Sequence, residues 1–150
     1  MVKLLVVAAC LVGVNCKYNG GNNDNEKVKE FLKDKEYIII CPEQLGGLTT
    51  PRKPSEINCL DGRDVLCGNG KVISCENVDV TENFVNGANE SLKIAQMFNC
   101  DKALLKEGSP SCGCNLIYDG TFSGKKIPGK GVTAALFIEN NIEVFSEKEL

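Results

Sequence analysis

A chain of 150 residues with 43% hydrophobic and 25% charged residues fits one globular domain, expected to span 1–150. The net charge of -3 leaves no basic footprint for nucleic acid, and no run approaches the roughly 20 apolar residues that cross a bilayer, so neither partner is expected. Histidine is absent, which excludes Ser-His-Asp, Cys-His and His-metal sites, whereas nine cysteines, at 10, 16, 41, 59, 67, 75, 100, 112 and 114, suggest metal binding or thiol chemistry in a reducing cytosol.

Lys3 to Ala9 is near-continuously apolar, as a buried parallel strand is. The same run could open a secretory leader, with Val7-Ala8-Ala9-Cys10 as a lipoprotein-type cleavage site. Its apolar part is shorter than the roughly 7–15 residues of a leader core, so the strand and a cytoplasmic protein are the expectation. A glycine- and asparagine-rich loop follows from Gly13 to Asn23; it matches neither a dinucleotide fingerprint nor a phosphate loop. Asp24 or Asn25 caps a helix through about Lys35, with Val28, Phe31 and Leu32 facing inward. Tyr37-Ile38-Ile39-Ile40 is a second buried strand, stopped at Cys41 because Pro42 cannot donate to a ladder. Strand, helix and strand make a right-handed unit with parallel strands, so Cys10 and Cys41 share one sheet edge.

Residues 42–60, with three prolines, read as a long loop. Within it Arg52 is either a ligand for an anionic or carbonyl group or a plain surface arginine. Asp64 to Cys67 and Lys71 to Cys75, around Gly68-Asn69-Gly70, read as a small hairpin. Cys59, Cys67 and Cys75 mark it at even spacing. Without a C-x-x-C pair they read as a cysteine-rich excursion rather than a second metal site.

Thr81 is the expected N-cap of a long helix reaching about Phe98, with Val85, Ala88, Leu92, Ala95 and Met97 or Phe98 as its core positions. A third strand, Lys102 to Lys106, leads to Gly108-Ser109-Pro110-Ser111-Cys112-Gly113-Cys114 and then to the polar loop Tyr118 to Gly124. Gly131-Val132-Thr133 opens a last helix through about Asn140, and Ile142 to Phe145 is a closing strand. The sum is an α/β fold, a single-domain three-layer Rossmann-like sandwich. Its small, mainly parallel sheet has about four strands, accompanied by a small hairpin.

Ligands of open α/β sheets bind beyond the carboxyl ends of the strands. Three such ends carry Cys10, Cys41 and Cys112, and Glu43 lies two residues past Cys41. With no histidine to help, separated thiols favour a soft metal or an iron–sulfur cluster, with Cys16 and Cys114 as possible fourth ligands. A thiol–disulfide switch and a zinc-binding module remain open on the same residues. About half of the nine cysteines should be plain buried hydrophobes.

Several stretches resemble the family named domain of unknown function 523. They are Ala9-Cys10-Leu11-Val12-Gly13-Val14-Asn15-Cys16 with Tyr18-Asn19-Gly20, Cys41-Pro42-Glu43-Gln44-Leu45-Gly46-Gly47-Leu48, and Thr50-Pro51-Arg52. Further on are Asp79-Val80-Thr81, Ser109-Pro110-Ser111-Cys112-Gly113, Tyr118-Asp119-Gly120-Thr121-Phe122-Ser123-Gly124 and Gly131-Val132-Thr133. The match runs in order along nearly the whole chain. The family includes thiouracil desulfurases, so the resemblance implies a [4Fe-4S] cluster held by three cysteines, Cys10, Cys41 and Cys112. It implies Glu43 as acid/base and Ser109 as the assisting serine, with Ser111 close by. The implied substrate is a small thiolated base such as 2-thiouracil, desulfurated without net redox. A monomer or homodimer is expected.

Overall fold

The computed structural model describes residues 3–58 and 61–150. The chain runs β1 (Leu5–Ala8), α1 (Glu26–Leu32), β2 (Tyr37–Ile40), α2 (Pro42–Leu45), β3 (Ser55–Ile57), α3 (Gly62–Leu66) and β4 (Val72–Ser74). It continues with α4 (Thr81–Met97), β5 (Lys102–Leu105), β6 (Leu116–Tyr118), β7 (Lys126–Pro128), α5 (Val132–Glu139) and β8 (Glu143–Ser146).

The main sheet is wholly parallel, in the order β2-β1-β5-β8. Register sets Leu5 against both Tyr37 and Lys102. The two central strands carry the apolar load: all four residues of β1 are buried, as are Ala103, Leu104 and Leu105 of β5. β2 is an edge strand, and Tyr37 and Ile39 are exposed on it. The crossover from β1 to β2 and that from β5 to β8 run to opposite sides. Right-handedness therefore sets α1 on one face and α5, with its neighbour α4, on the other. Among the described residues two apolar clusters result: one around the sheet with Val28, Leu32, Ala95, Ala134 and Phe137, and one of Ile57, Val65, Val72, Phe84, Ala88, Ile117 and Val132. Among the described residues no helix is long and apolar enough to cross a membrane.

Local signals account for the long elements. Asn25 caps α1, its side chain accepting from Lys27 and Val28 N–H. α4 starts at Thr81, but the Thr81 hydroxyl is not the cap: it accepts the Val72 N–H at 3.0 Å and ties α4 to β4. Ala95 is the last buried position of α4. Met97 and Phe98 are exposed rather than core, because the chain turns through Asn99 (φ 54) to enter β5 and leaves the packing face.

The expected loop at 42–60 contains both α2 and β3. The expected hairpin at 64–75 is absent. Residues Gly62–Leu66 are helical, held by a capping box in which the Asp61 and Asp64 side chains each accept the other's backbone N–H. β4 instead pairs antiparallel with β3, Ser55 opposite Ser74. A second antiparallel pair, β6 with β7, flanks the polar loop and has no counterpart in the sequence reading. Cys67 and Cys75 are exposed; Cys59 lies outside the described residues.

One crossing fixes the position of α2 and hence of Glu43. Gly46 and Gly87 let α2 and α4 touch backbone to backbone. A Cβ on Gly87 would lie 2.0 Å from the Pro42 carbonyl oxygen, and one on Gly46 would lie 2.0 Å from that of Asn83. Asn83 Nδ2 also donates to the Gly46 carbonyl at 2.9 Å. A helical Gly→Ala change ordinarily stabilises by about 1 kcal/mol. Gly87→Ala is expected to reverse that sign and destabilise by about 1–3 kcal/mol through overpacking. Urea midpoints of the two proteins test this, and a stabilised variant would refute the close crossing.

Candidate functional site

The direction of chain travel across the sheet reverses between β1 and β5, the switch point at which α/β folds leave a crevice. Cys10 lies in a 3₁₀ turn, Ala9–Val12, directly after β1, closed by Gly13 at φ 96. Cys41 joins β2 to α2, and Cys112 follows β5. All three line one cavity of about 390 Å³, together with Glu43, Arg52 and Ser109. Such a volume suits a small molecule.

The Cys112 loop is built by hydrogen bonds from α5. Val132 N–H donates to Pro110 O, and the N–H groups of Thr133 and Ala134 donate to Ser111 O. The Gly131 N–H donates to Gly113 O, and Gly131 lies so close to Ser111 that a Cβ would meet its carbonyl carbon at 2.4 Å. Inside the turn, Ser109 Oγ accepts the N–H groups of Ser111 (3.1 Å) and Cys112 (3.0 Å). Ser109 lines the cavity, whereas Ser111 is fully buried with its hydroxyl 2.8 Å from that of Thr133.

Glu107 anchors the far side of this loop. Its carboxylate accepts the N–H groups of Cys114, Asn115 and Leu116 and the Asn115 side-chain amide, at 2.9–3.0 Å. Burial alone would raise its pKa. The four donors outweigh burial and hold it down to about 2. A carboxyl depressed in the folded state stabilises fully above its unfolded value of 4.5, and loses that contribution as pH falls towards 2. Glu107→Gln is therefore expected to be less stable at pH 7 by about 1–3 kcal/mol. Its urea midpoint should also vary less than the wild type's between pH 5 and pH 3. Equal slopes in that window would rule out Glu107 as the source.

The cavity thiols lie close enough to act on one another. Cys16, buried and also in the cavity wall, has Cys10 and Cys41 beside it, and sharing its one S–H with their sulfurs pushes its own proton affinity up. The nearness of Cys16 holds Cys10 below the usual thiol range and draws Cys41, whose thiol donates to Cys16 O at 3.8 Å, down to about 7. Cys112 goes the other way: burial raises it most, then the negative charges of Glu43, Cys10 and Cys41. A thiol crowded by anions becomes a thiolate when cations enter, so this donor set fits a metal centre. Among the described residues no three His, Cys, Asp or Glu side chains converge closely enough for a single ion. A lone zinc needs its sulfurs about 2.3 Å from one point. A cluster takes each thiolate on a separate iron and so accepts a wider spread of sulfurs.

Arg52 is not a surface arginine, and the anionic and carbonyl groups it binds belong to the protein itself. Its side chain is 8% exposed, and Nη2 donates to Glu43 Oε2 at 2.8 Å and to Cys16 O at 2.9 Å. Nη1 donates to Thr49 O and Thr50 Oγ1. These bonds hold the Glu43 carboxylate against Arg52.

The structure thus gathers Cys10, Cys41, Cys112, Glu43 and Ser109 in one cavity. Cys16 joins them. Cys114 does not line it: it is buried, with its thiol donating to Cys112 O at 3.5 Å and burial pushing it up to about 12. Cys100 is a core residue. Sequence reasoning missed the grip of Arg52 on Glu43, the Thr133–Ser111 contact and the Glu107 anchor, none of which has a local signal.

The chain matches the model of the 2-thiouracil desulfurase family over residues 5–149. It is 46% identical over 147 residues to the uncharacterised protein YbbK of Bacillus subtilis (strain 168), covering 98% of this chain and 97% of that one. The fold is similar to that of a [4Fe-4S]-dependent thiouracil desulfidase, TudS, with a TM-score of 0.86 at 35% identity, covering 99% of this chain and 93% of the other.

Proposed function

The chain belongs to the 2-thiouracil desulfurase family, and from that premise we propose that Cys10, Cys41 and Cys112 hold a [4Fe-4S] cluster at which a thiolated pyrimidine is desulfurated. The observation that carries the reading is the set of three thiols from three strand ends, facing one cavity with a carboxylate and a hydroxyl. When bound through three protein ligands, such a cluster supplies one open, soft iron to take a thiocarbonyl sulfur and leave its ring carbon electron-poor.

The chain's own groups do the rest. Glu43, steered by Arg52, takes a proton from water as the water oxygen adds to the ring carbon, and returns a proton to the departing sulfur. Ser109 Oγ already accepts two backbone N–H groups, which leaves its O–H free to donate to the substrate. Atoms balance as thiouracil plus water giving uracil plus hydrogen sulfide, released as hydrosulfide, with no electron gained or lost. The enzyme is assigned to the cytoplasm, where thiols stay reduced.

Anaerobic reconstitution with iron and sulfide, followed by 2-thiouracil, tests this directly. Uracil and hydrosulfide in equal amounts are expected. A fully loaded protein with no turnover on any thiolated base would sink the substrate assignment. A second reading, a thiol-redox module, draws on the contact of Cys16 with Cys10 and Cys41. It predicts a colourless protein with reversible disulfides and no acid-labile sulfide; the cluster predicts a broad visible absorption lost in air.

A further inference from the structure

The turn between β6 and β7 forms part of the cavity wall and is fastened from two sides. Glu56 on β3, a buried carboxylate, accepts the N–H of Gly120 at 2.9 Å and that of Phe122 at 3.1 Å. Within the turn, Asp119 Oδ1 accepts from Thr121 N and Oγ1, and Thr121 Oγ1 lies 2.7 Å from Ser123 Oγ. Gly120, at φ 96, rests on β3 so closely that a Cβ would meet Ile57 O at 2.6 Å.

What these bonds hold is unusual. Among the described residues four non-glycine residues have positive φ, and three of them are Asn77, Asn99 and Asn141. Asparagine tolerates that conformation. The fourth is Phe122, at φ 55, for which it is strained. The ring gains little by burial: it is 40% exposed, belongs to neither apolar cluster, and lines the cavity. Strain kept at an exposed aromatic in a cavity wall marks a functional position.

We propose that Phe122 is a substrate-binding residue whose ring stacks on the face of the planar thiolated base, with Glu56 as the positioning residue that holds the turn. The proposal rests on the desulfurase reading for the nature of its ligand. Base–aromatic stacking of the usual strength corresponds to about 5- to 150-fold in affinity.

Phe122→Asn removes the ring but suits φ 55, so it keeps the fold; Phe122→Tyr keeps the ring. Both are compared with wild type in the cluster-loaded state. The readouts are iron content, thermal midpoint, KM and kcat for 2-thiouracil, and calorimetric affinity for uracil, which is not turned over. Phe122→Asn is expected to hold full iron and an equal or higher midpoint. Its KM and uracil Kd should rise about 5- to 150-fold, with kcat changed far less and Phe122→Tyr near wild type. Unchanged KM and uracil affinity in Phe122→Asn overturn the proposal, even if desulfuration stands. A lowered midpoint with unchanged affinity also overturns it, as does wild-type protein that binds no planar base. Phe122-dependent uracil binding without desulfuration supports it and counts against the reaction instead.

Discussion

Cys112→Ser protein, reconstituted without oxygen, is expected to retain little iron or acid-labile sulfide and to leave 2-thiouracil unchanged. Cys112 is 4% exposed and its thiol is pushed up by burial and by the anions around it. A hydroxyl there has neither the softness nor the acidity to replace a thiolate on iron. The fold should survive, because the turn is held by Ser109, Thr133 and the first N–H groups of α5 rather than by the sulfur. Cys114→Ser serves as the control: its thiol donates to Cys112 O and does not line the cavity, so its loss should leave iron content intact. Full iron in Cys112→Ser would remove Cys112 from the ligand set. Cys16→Ser is informative in the other direction, since loss of iron there would add a fourth thiol to the set.

Glu43→Gln should separate chemistry from assembly. The amide oxygen can still accept from Arg52 Nη2, so α2 and the cavity keep their shape. It cannot take a proton from water. The expected result is a fully loaded cluster with kcat lowered by about 10²- to 10⁴-fold, the usual worth of a positioned acid/base, and a KM close to wild type. Iron analysis and steady-state kinetics on one preparation decide it. A variant with wild-type kcat would release Glu43 from proton transfer.

Much of the scaffold was legible in the chain. β1, β2 and β5 are apolar runs with few alternatives, α1 carries its own cap at Asn25, and α4 spans enough turns for its period to show. A helix between two strands serves as the crossover that leaves them parallel, and parallel strands bring Cys10, Cys41 and Cys112 to one edge. The middle of the chain was not legible. β3, β4, β6 and β7 have three residues each, too few to display a period of two. At 61–70 the turn signal of Gly68-Asn69-Gly70 lost to the capping box of Asp61 and Asp64.

The sequence by itself determined which residue types were available: thiols without histidine, a carboxylate two residues past a strand-end cysteine, and strands that parallel packing aligns. These follow from composition and from local backbone preference, which act over a few residues. Only the tertiary structure decided what each group faces. Arg52 turned out to grip Glu43, Thr133 to meet Ser111, and Glu56 to hold Phe122 strained in the cavity wall. These partners lie 9, 22 and 66 residues apart along the chain. Their pairing depends on where the sheet and its helices place them, and no local pattern encodes that distance.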